Sequence, residues 1–439
     1  MNRLFQLLCI FFLGSLFSCN ETGNAKIESL NFIGKTDSCQ TNPNHKYEIF
    51  FPEKSQEAKL PLLVIIDAHG SGKFALNKFK PAADRYPAIL VASDYIKNGF
   101  ENYTEEIQTL ITDVRQKYRA NETVFLTGFS GGARMALGYA LSHNVNGLIL
   151  CGALANADEI NSVNCPVISI SGMDDFNFIE TAQYLFQEQS IPANLKIELT
   201  NASHDWPDSL MLSNAFGFLQ LSKSGAENSV TKSVLKNYNQ NQLARIDSLV
   251  KTEDYLKAVQ VARNLATTKP FSEENAFSVT YNELKSDQKY VSQLNQLKNN
   301  FNIEIKARQP YIDAFTTKDS LWWKNEIESI NRKMATEKNQ YTIDMYHRIN
   351  GFWGIACYSL GNQAIKAKDL KTLENINFVY RTLEPENPYV YYFSAFPYFW
   401  EGENDATIAM LKKAIDHGFT EIDQLKQDFP EIILSRVIE

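Results

Sequence analysis

Seven short apolar runs constrain this chain more than any other feature. They are "HKYEIFF", "LPLLVIID", "AILVAS", "ETVFLTG", "GLILCG", "PVISISG" and "LKIELT", all between residues 45 and 200. Most are rich in Val, Ile and Leu without strict alternation, the pattern of strands covered on both faces. Stretches of helical character separate them, clearest over 103–118 and 131–143 and again over 179–189. Such alternation predicts an α/β fold built on a doubly wound, mostly parallel sheet.

After residue 220 the character changes. "LSKSGAENSVTKS" is small and polar, which predicts a linker over 222–235 between an α/β domain at 27–221 and an all-α domain at 236–439. In that second half "DYLKAVQVARNLATTKP", "WGIACYSLGNQAIKAKDL" and "WEGENDATIAMLKKAIDHGF" each set alanines among large apolar residues. These segments resemble tetratricopeptide-type helical repeats, although no strict period runs through the whole region; a generic helical bundle is the other reading. The resemblance implies a surface for a protein partner. The aromatic stretch "NPYVYYFSAFPYFWEG" reads as helix core rather than as a ligand cage.

The chain opens with "MNRLFQLLCIFFLGSLFSCN", a basic residue and then an apolar stretch too short to span a bilayer comfortably. This resembles a bacterial lipoprotein signal over 1–18, in which Cys19 is lipidated, with a short polar tether over 19–26. The implied location is the cell envelope of a bacterium, with the membrane reached through the lipid anchor. An ordinary secretory signal is the alternative. Export would permit disulfides. However, a Cys151–Cys165 bridge would have to join opposite ends of neighbouring parallel strands, farther apart than the ~7 Å Cα limit. Cys39, Cys151, Cys165 and Cys357 are therefore expected as free thiols. With a net charge of −8 and no dense cationic stripe, nucleic-acid binding is disfavoured. No Cys/His cluster has zinc spacing, and neither metal nor organic cofactor is expected.

"FLTGFSGGARMA" joins an apolar strand to a helix through Gly128, Ser130, Gly131 and Gly132. The pattern G-x-S-x-G in that setting fits a nucleophile elbow, a sharp turn whose glycines remove clashing side chains. A glycine-lined turn without chemistry is the alternative. A serine hydroxyl needs a base. Of the six histidines, His45 falls in the first strand, His143 ends the helix behind Ser130, and His347 and His417 lie in the helical region. His69 belongs to "DAHGSG", where a structural role is expected. His204 follows the last strand, on a loop that reaches the sheet edge expected for Ser130. The orienting acid should come from the end of the preceding strand, where "GMDD" supplies Asp174 and Asp175. Two oxyanion donors are required. Gly131 N–H is one, and the Ser71 amide of "HGSG" is the other.

"HGSG", "GFSGG", "GMDD" and "SHDWP", in that order, resemble the α/β-hydrolase superfamily. "HDWP" is similar to the polyhydroxybutyrate-depolymerase, feruloyl-esterase and dienelactone-hydrolase-like branch. In that branch the acid stands three residues after a glycine, which implies Asp175, after Gly172, with Asp174 as the alternative. The resemblance implies a serine ester hydrolase acting on a small-molecule or polymer-linked ester through an acyl-enzyme. A serine peptidase of the prolyl-oligopeptidase kind and a non-catalytic interaction lipoprotein are the rival readings. The short spacing from Ser130 to His204 leaves no room for an inserted helical lid, so an open site is expected.

Overall fold

A computed structural model describes residues 34–52, 59–118, 120–224, 229–273 and 275–438. The expected signal, Cys19 and the tether lie outside the described residues. The described chain divides into two compact units, one ending at Asn299 and the other beginning at Asn300.

Eight strands form one sheet in the first unit: β1 (Gly34–Ser38), β2 (Lys46–Phe50), β3 (Leu60–Ile66), β4 (Ile89–Ser93), β5 (Ala120–Phe129), β6 (Gly147–Cys151), β7 (Val167–Gly172) and β8 (Leu195–Thr200). Their spatial order is β1-β2-β4-β3-β5-β6-β7-β8. Only β2 runs against the rest. The six strands from β3 onward are parallel, so their carboxyl ends share one rim. This is the α/β-hydrolase arrangement. Their apolar runs are covered on both faces: every residue of β4, β6 and β7 is buried.

Helices cover the two faces: α1 (Gly72–Arg85), α2 (Tyr103–Lys117), α3 (Gly131–Ala140), α4 (Ala157–Ser162), α5 (Phe178–Phe186) and α6 (Ser209–Ser224). A capping box at Asn156 and Glu159 starts α4. The strand β1 was not expected from sequence. Its residues GKTDS are half-buried or exposed at the sheet edge, so no apolar run marks it.

The boundary between units differs from the expected linker. The described part of that segment is mostly helical, with α6 ending at Ser224 and α7 (Ser229–Lys251) beginning five residues later. Helices α7, α8 (Tyr255–Ala266) and α9 (Asn275–Ser286) belong with the sheet. The reason is apolar burial: Tyr238, Ile246, Ala258, Val261 and Phe277 join Phe79, Phe125, Phe216 and Trp206 in one continuous core. Helix α8 is buried over nearly its whole length and packs on β8. Lys257 bonds Asn201, just beyond β8, and Arg245 pairs with Glu198 at 2.7 Å.

Next to the sheet rim, but sealed from solvent, His45 precedes β2 with its Nε2 3.0 Å from Ser93 Oγ and its Nδ1 2.8 Å from Glu106 Oε2. Ser93 Oγ accepts the amides of Tyr95 and Ile96, so its hydroxyl donates to the imidazole and the opposite ring nitrogen donates to Glu106. Both His45 and Ser93 are fully buried. Ser93 shapes the turn that carries Asp94 and Asn98 away from β4.

The second unit is helical throughout its described length. It includes the end of α10 (Gln288–Thr317), then α11 (Ser320–Thr336), α12 (Gln340–Ala367), α13 (Leu370–Leu383), α14 (Pro388–Trp400), α15 (Asn404–Asp416), α16 (Ile422–Asp428) and α17 (Glu431–Leu434). Consecutive helices pair, α12 with α13 and α14 with α15. Tyr389, Tyr392, Phe393 and Phe396 of the aromatic stretch are buried, and Phe396 meets Phe429 at 4.9 Å. Trp323 and Trp353 cross edge to face at 5.6 Å. Glu304, fully buried, accepts from Arg308 at 2.7 Å and Arg348 at 2.8 Å. No helix among the described residues is long and apolar enough to cross a membrane.

All four cysteines among the described residues are free and buried. Burial pushes the Cys165 thiol up to about 12.

Candidate active site

The turn after β5 is set by glycines. A Cβ on Gly128 would lie 2.2 Å from the carbonyl carbon of Gly132, and one on Gly132 would lie 2.1 Å from the Ile66 oxygen. No side chain fits either place, so strand and helix approach at backbone distance. Ser130 itself takes φ +53°, a conformation unfavourable for any residue with a side chain. Its amide donates to the Cys151 oxygen at 2.8 Å, tying the turn to β6. Immediately after it α3 begins, and the first amides of a helix have no partner inside the helix. Gly131 N–H is such a group.

His204 Nε2 stands 2.9 Å from Ser130 Oγ, and its Nδ1 stands 2.9 Å from Asp175 Oδ2. A carboxylate only accepts, so Nδ1 carries the proton and Nε2 is left to accept from the serine hydroxyl. Asp175 is 2% exposed and its Oδ1 takes the Asn177 amide at 2.8 Å. The rings of Phe129 and Phe176 pack on the imidazole at 4.7 and 4.4 Å. Of the two candidate acids, the carboxylate that reaches the imidazole is Asp175; the Asp174 amide donates to the Ala202 oxygen at 3.3 Å. A Cβ on Gly172 would fall 2.1 Å from that same oxygen, which explains the glycine three residues before the acid.

The turn after β3 is organised by Asp67. Its Oδ1 accepts the His69 amide at 2.8 Å and the Ser71 amide at 3.2 Å, and Gly70 N–H bonds its main-chain oxygen at 3.1 Å. The amide expected as the second oxyanion donor thus rests on a carboxylate, because a buried charge draws in the nearest donors. His69 Nδ1 lies 3.5 Å from the same carboxylate, a structural place.

Two site residues escaped the sequence reading. Asn98, on the loop after β4, lies against the elbow: its Oδ1 would be 1.7 Å from a Cβ on Gly131. Its amide donates to the Ala68 oxygen at 2.9 Å, so the β4 loop also fixes the turn after β3. Asp94 accepts the Gly72 amide at 2.9 Å. An open cleft lined by Ser71, Lys73, Phe74, Asn77 and Asp94 adjoins this turn, and Phe74 presents its ring to solvent. Among the described residues, no group of three or more His, Cys, Asp or Glu could hold a metal ion.

No family model and no curated protein matches the chain. Solved structures do. An esterase structure from Rhizomucor miehei is 14% identical, over 43% of this chain and 82% of that one, with a TM-score of 0.35. Est1E from Butyrivibrio proteoclasticus is 13% identical, over 43% and 98%, with a TM-score of 0.35. A puromycin-hydrolyzing peptidase of Mycobacterium tuberculosis is 9% identical over 45% of this chain, with a TM-score of 0.36, and the match spans only 40% of the peptidase. At these values the likenesses assign neither activity nor substrate.

Proposed function

We propose that the protein is a serine hydrolase of esters, secreted and held at a bacterial cell envelope by a lipid on Cys19. Ser130 Oγ attacks the carbonyl carbon as His204 Nε2 takes its proton, with Asp175 fixing the imidazole and stabilising its charged form. The tetrahedral oxyanion rests on Gly131 N–H, where the helix dipole also favours negative charge. Ser71 N–H serves as second donor by sharing its one hydrogen between Asp67 Oδ1, 3.2 Å away, and the oxyanion. His204 returns its proton to the departing alkoxide, and a water then releases the acyl group by the same path in reverse.

The observation that carries this reading is the unbroken chain Ser130–His204–Asp175, with 2.9 Å at each link, on the rim where six parallel strands end. The adjoining cleft is open, which favours soluble or polymer-attached esters over buried long acyl chains. A fluorophosphonate adduct on Ser130 by intact mass, absent in Ser130→Ala, is the expected result, with turnover of short p-nitrophenyl acyl esters. Cleavage of proline amides without ester turnover would favour a peptidase, and no labelling would favour a non-catalytic role. Cys19→Ala should release the protein from membranes; retention there would refute the anchor. The helical unit is proposed to bind a protein partner.

A further inference from the structure

One buried carboxylate joins the two loops that flank Ser130. Asp67 is 2% exposed and directly follows β3. While its Oδ1 collects the amides of His69 and Ser71, its Oδ2 accepts the indole Nε1–H of Trp206 at 2.7 Å. Trp206 lies 139 residues away in sequence and two beyond His204. The indole is 4% exposed, and Phe129 and Phe79 pack on it at 5.6 and 6.0 Å. Phe129 in turn touches the His204 imidazole. The contacts therefore run from the oxyanion turn through Asp67 and Trp206 to the ring proposed as base.

A buried carboxylate with partners on only one loop would do for local structure. This one divides its two oxygens between two loops, and each loop carries a group the proposed chemistry needs. Burial opposes its ionisation, but the bonds from His69 and Trp206 outweigh that and hold the carboxyl below its ordinary value. The charge is therefore present whenever the site would work. A neutral carboxamide could not replace it, since one end would present hydrogens to donors that already point inward.

We propose that Asp67 is a positioning residue for the ester hydrolysis proposed above, fixing the Ser71 amide and the His204 loop relative to each other through the Trp206 indole. It does not touch the reacting atoms. The inference rests on the serine-hydrolase reading and adds to it a determinant of rate outside the Ser130–His204–Asp175 chain.

The test compares wild type, Asp67→Asn, Trp206→Phe and the double variant on a short p-nitrophenyl ester, each normalised by fluorophosphonate titration of reactive Ser130. Turnover per titrated site should fall about 10- to 100-fold in each single variant, the scale of a loop misplaced by about an ångström. KM should change less than about twofold, since the loss lies in the transition state. The double variant should be no slower than the slower single, because both break one link. Should Asp67→Asn fail to fold, Trp206→Phe, which keeps an aromatic ring in place, decides alone. Unchanged turnover per titrated site, or losses that multiply in the double variant, would overturn the inference. Wild type that neither labels nor turns over ester would instead defeat the hydrolase reading itself.

Discussion

Asn264 pairs with Ile197 as a neighbouring strand would. Its Oδ1 accepts the Ile197 amide at 3.2 Å and its Nδ2 donates to the Ile197 oxygen at 2.8 Å. Ile197 is in β8, the last strand of the sheet, and Asn264 is in α8. An open strand edge invites unwanted pairing, and a covering helix with one well-placed carboxamide is a remedy.

From this follows where the sheet-bearing unit can be cut. A chain ending at residue 221 leaves β8 uncovered and should aggregate, whereas one ending at Asn299 should stay soluble and keep fluorophosphonate labelling at Ser130. Asn264→Ala in the full chain should cost about 1–3 kcal/mol, the scale of two buried main-chain groups left unpaired. Urea denaturation measures it; an unchanged midpoint would deny Asn264 this role.

Asp175→Asn should lower kcat by about 10⁴, since a carboxamide favours the wrong imidazole tautomer. Asp174→Asn should stay within about tenfold of wild type, because its carboxylate is not the one on His204 Nδ1. Steady-state kinetics with both variants checks the ranking, and the reverse order would reassign the acid.

Neighbouring glycines should respond differently to alanine. At Gly132 the added methyl would meet the backbone oxygen of Ile66, which cannot yield, so Gly132→Ala should fail to fold. At Gly131 it would meet the end of the Asn98 side chain, which can turn away. Gly131→Ala should therefore fold, with thermal stability near wild type, but lose activity as Asn98 is displaced onto the oxyanion side. A folded Gly132→Ala, by circular dichroism, would contradict the first; full activity in Gly131→Ala would contradict the second.

Lys196, on β8, is 4% exposed, and burial pushes its ammonium down from 10.5 to about 8, with Arg263 adding to the effect. Between those values the unfolded chain holds the proton and the folded one does not, so its contribution to stability grows as pH rises through 8 to 10.5 and is lost on the way down. Relative to Lys196→Met, wild type should gain about 1–3 kcal/mol across that window. Parallel urea titrations at several pH values measure the difference; parallel curves would refute it.

Much of this molecule is legible from its residues. The apolar runs locate seven strands, the glycines around Ser130 announce a turn, and with six histidines a process of elimination reaches His204. What stays hidden has physical causes. The strand β1 carries no apolar run because it is a polar edge. The division near Asn299 is masked because "LSKSGAENSVTKS" has a linker's composition while its flanks are helical, and the apolar face of α8 gives no sign that a sheet edge will cover it. Asp67 and Trp206 both stand inside quoted motifs, yet nothing in either shows that they meet. Asn98 is reached only through the fold of the β4 loop.

The buried pair of Ser93 and His45, with the half-buried Glu106 beside it, repeats the hydrogen-bonded order found on the rim. A geometric template for such trios would score this molecule twice, and a reagent in solution should find only one. What separates the two is plumbing: a route for solute, and a helix-end amide, that of Gly131, where a carbonyl would arrive. On the proposed reading, reactivity in this fold is conferred by the doorway as much as by the trio behind it.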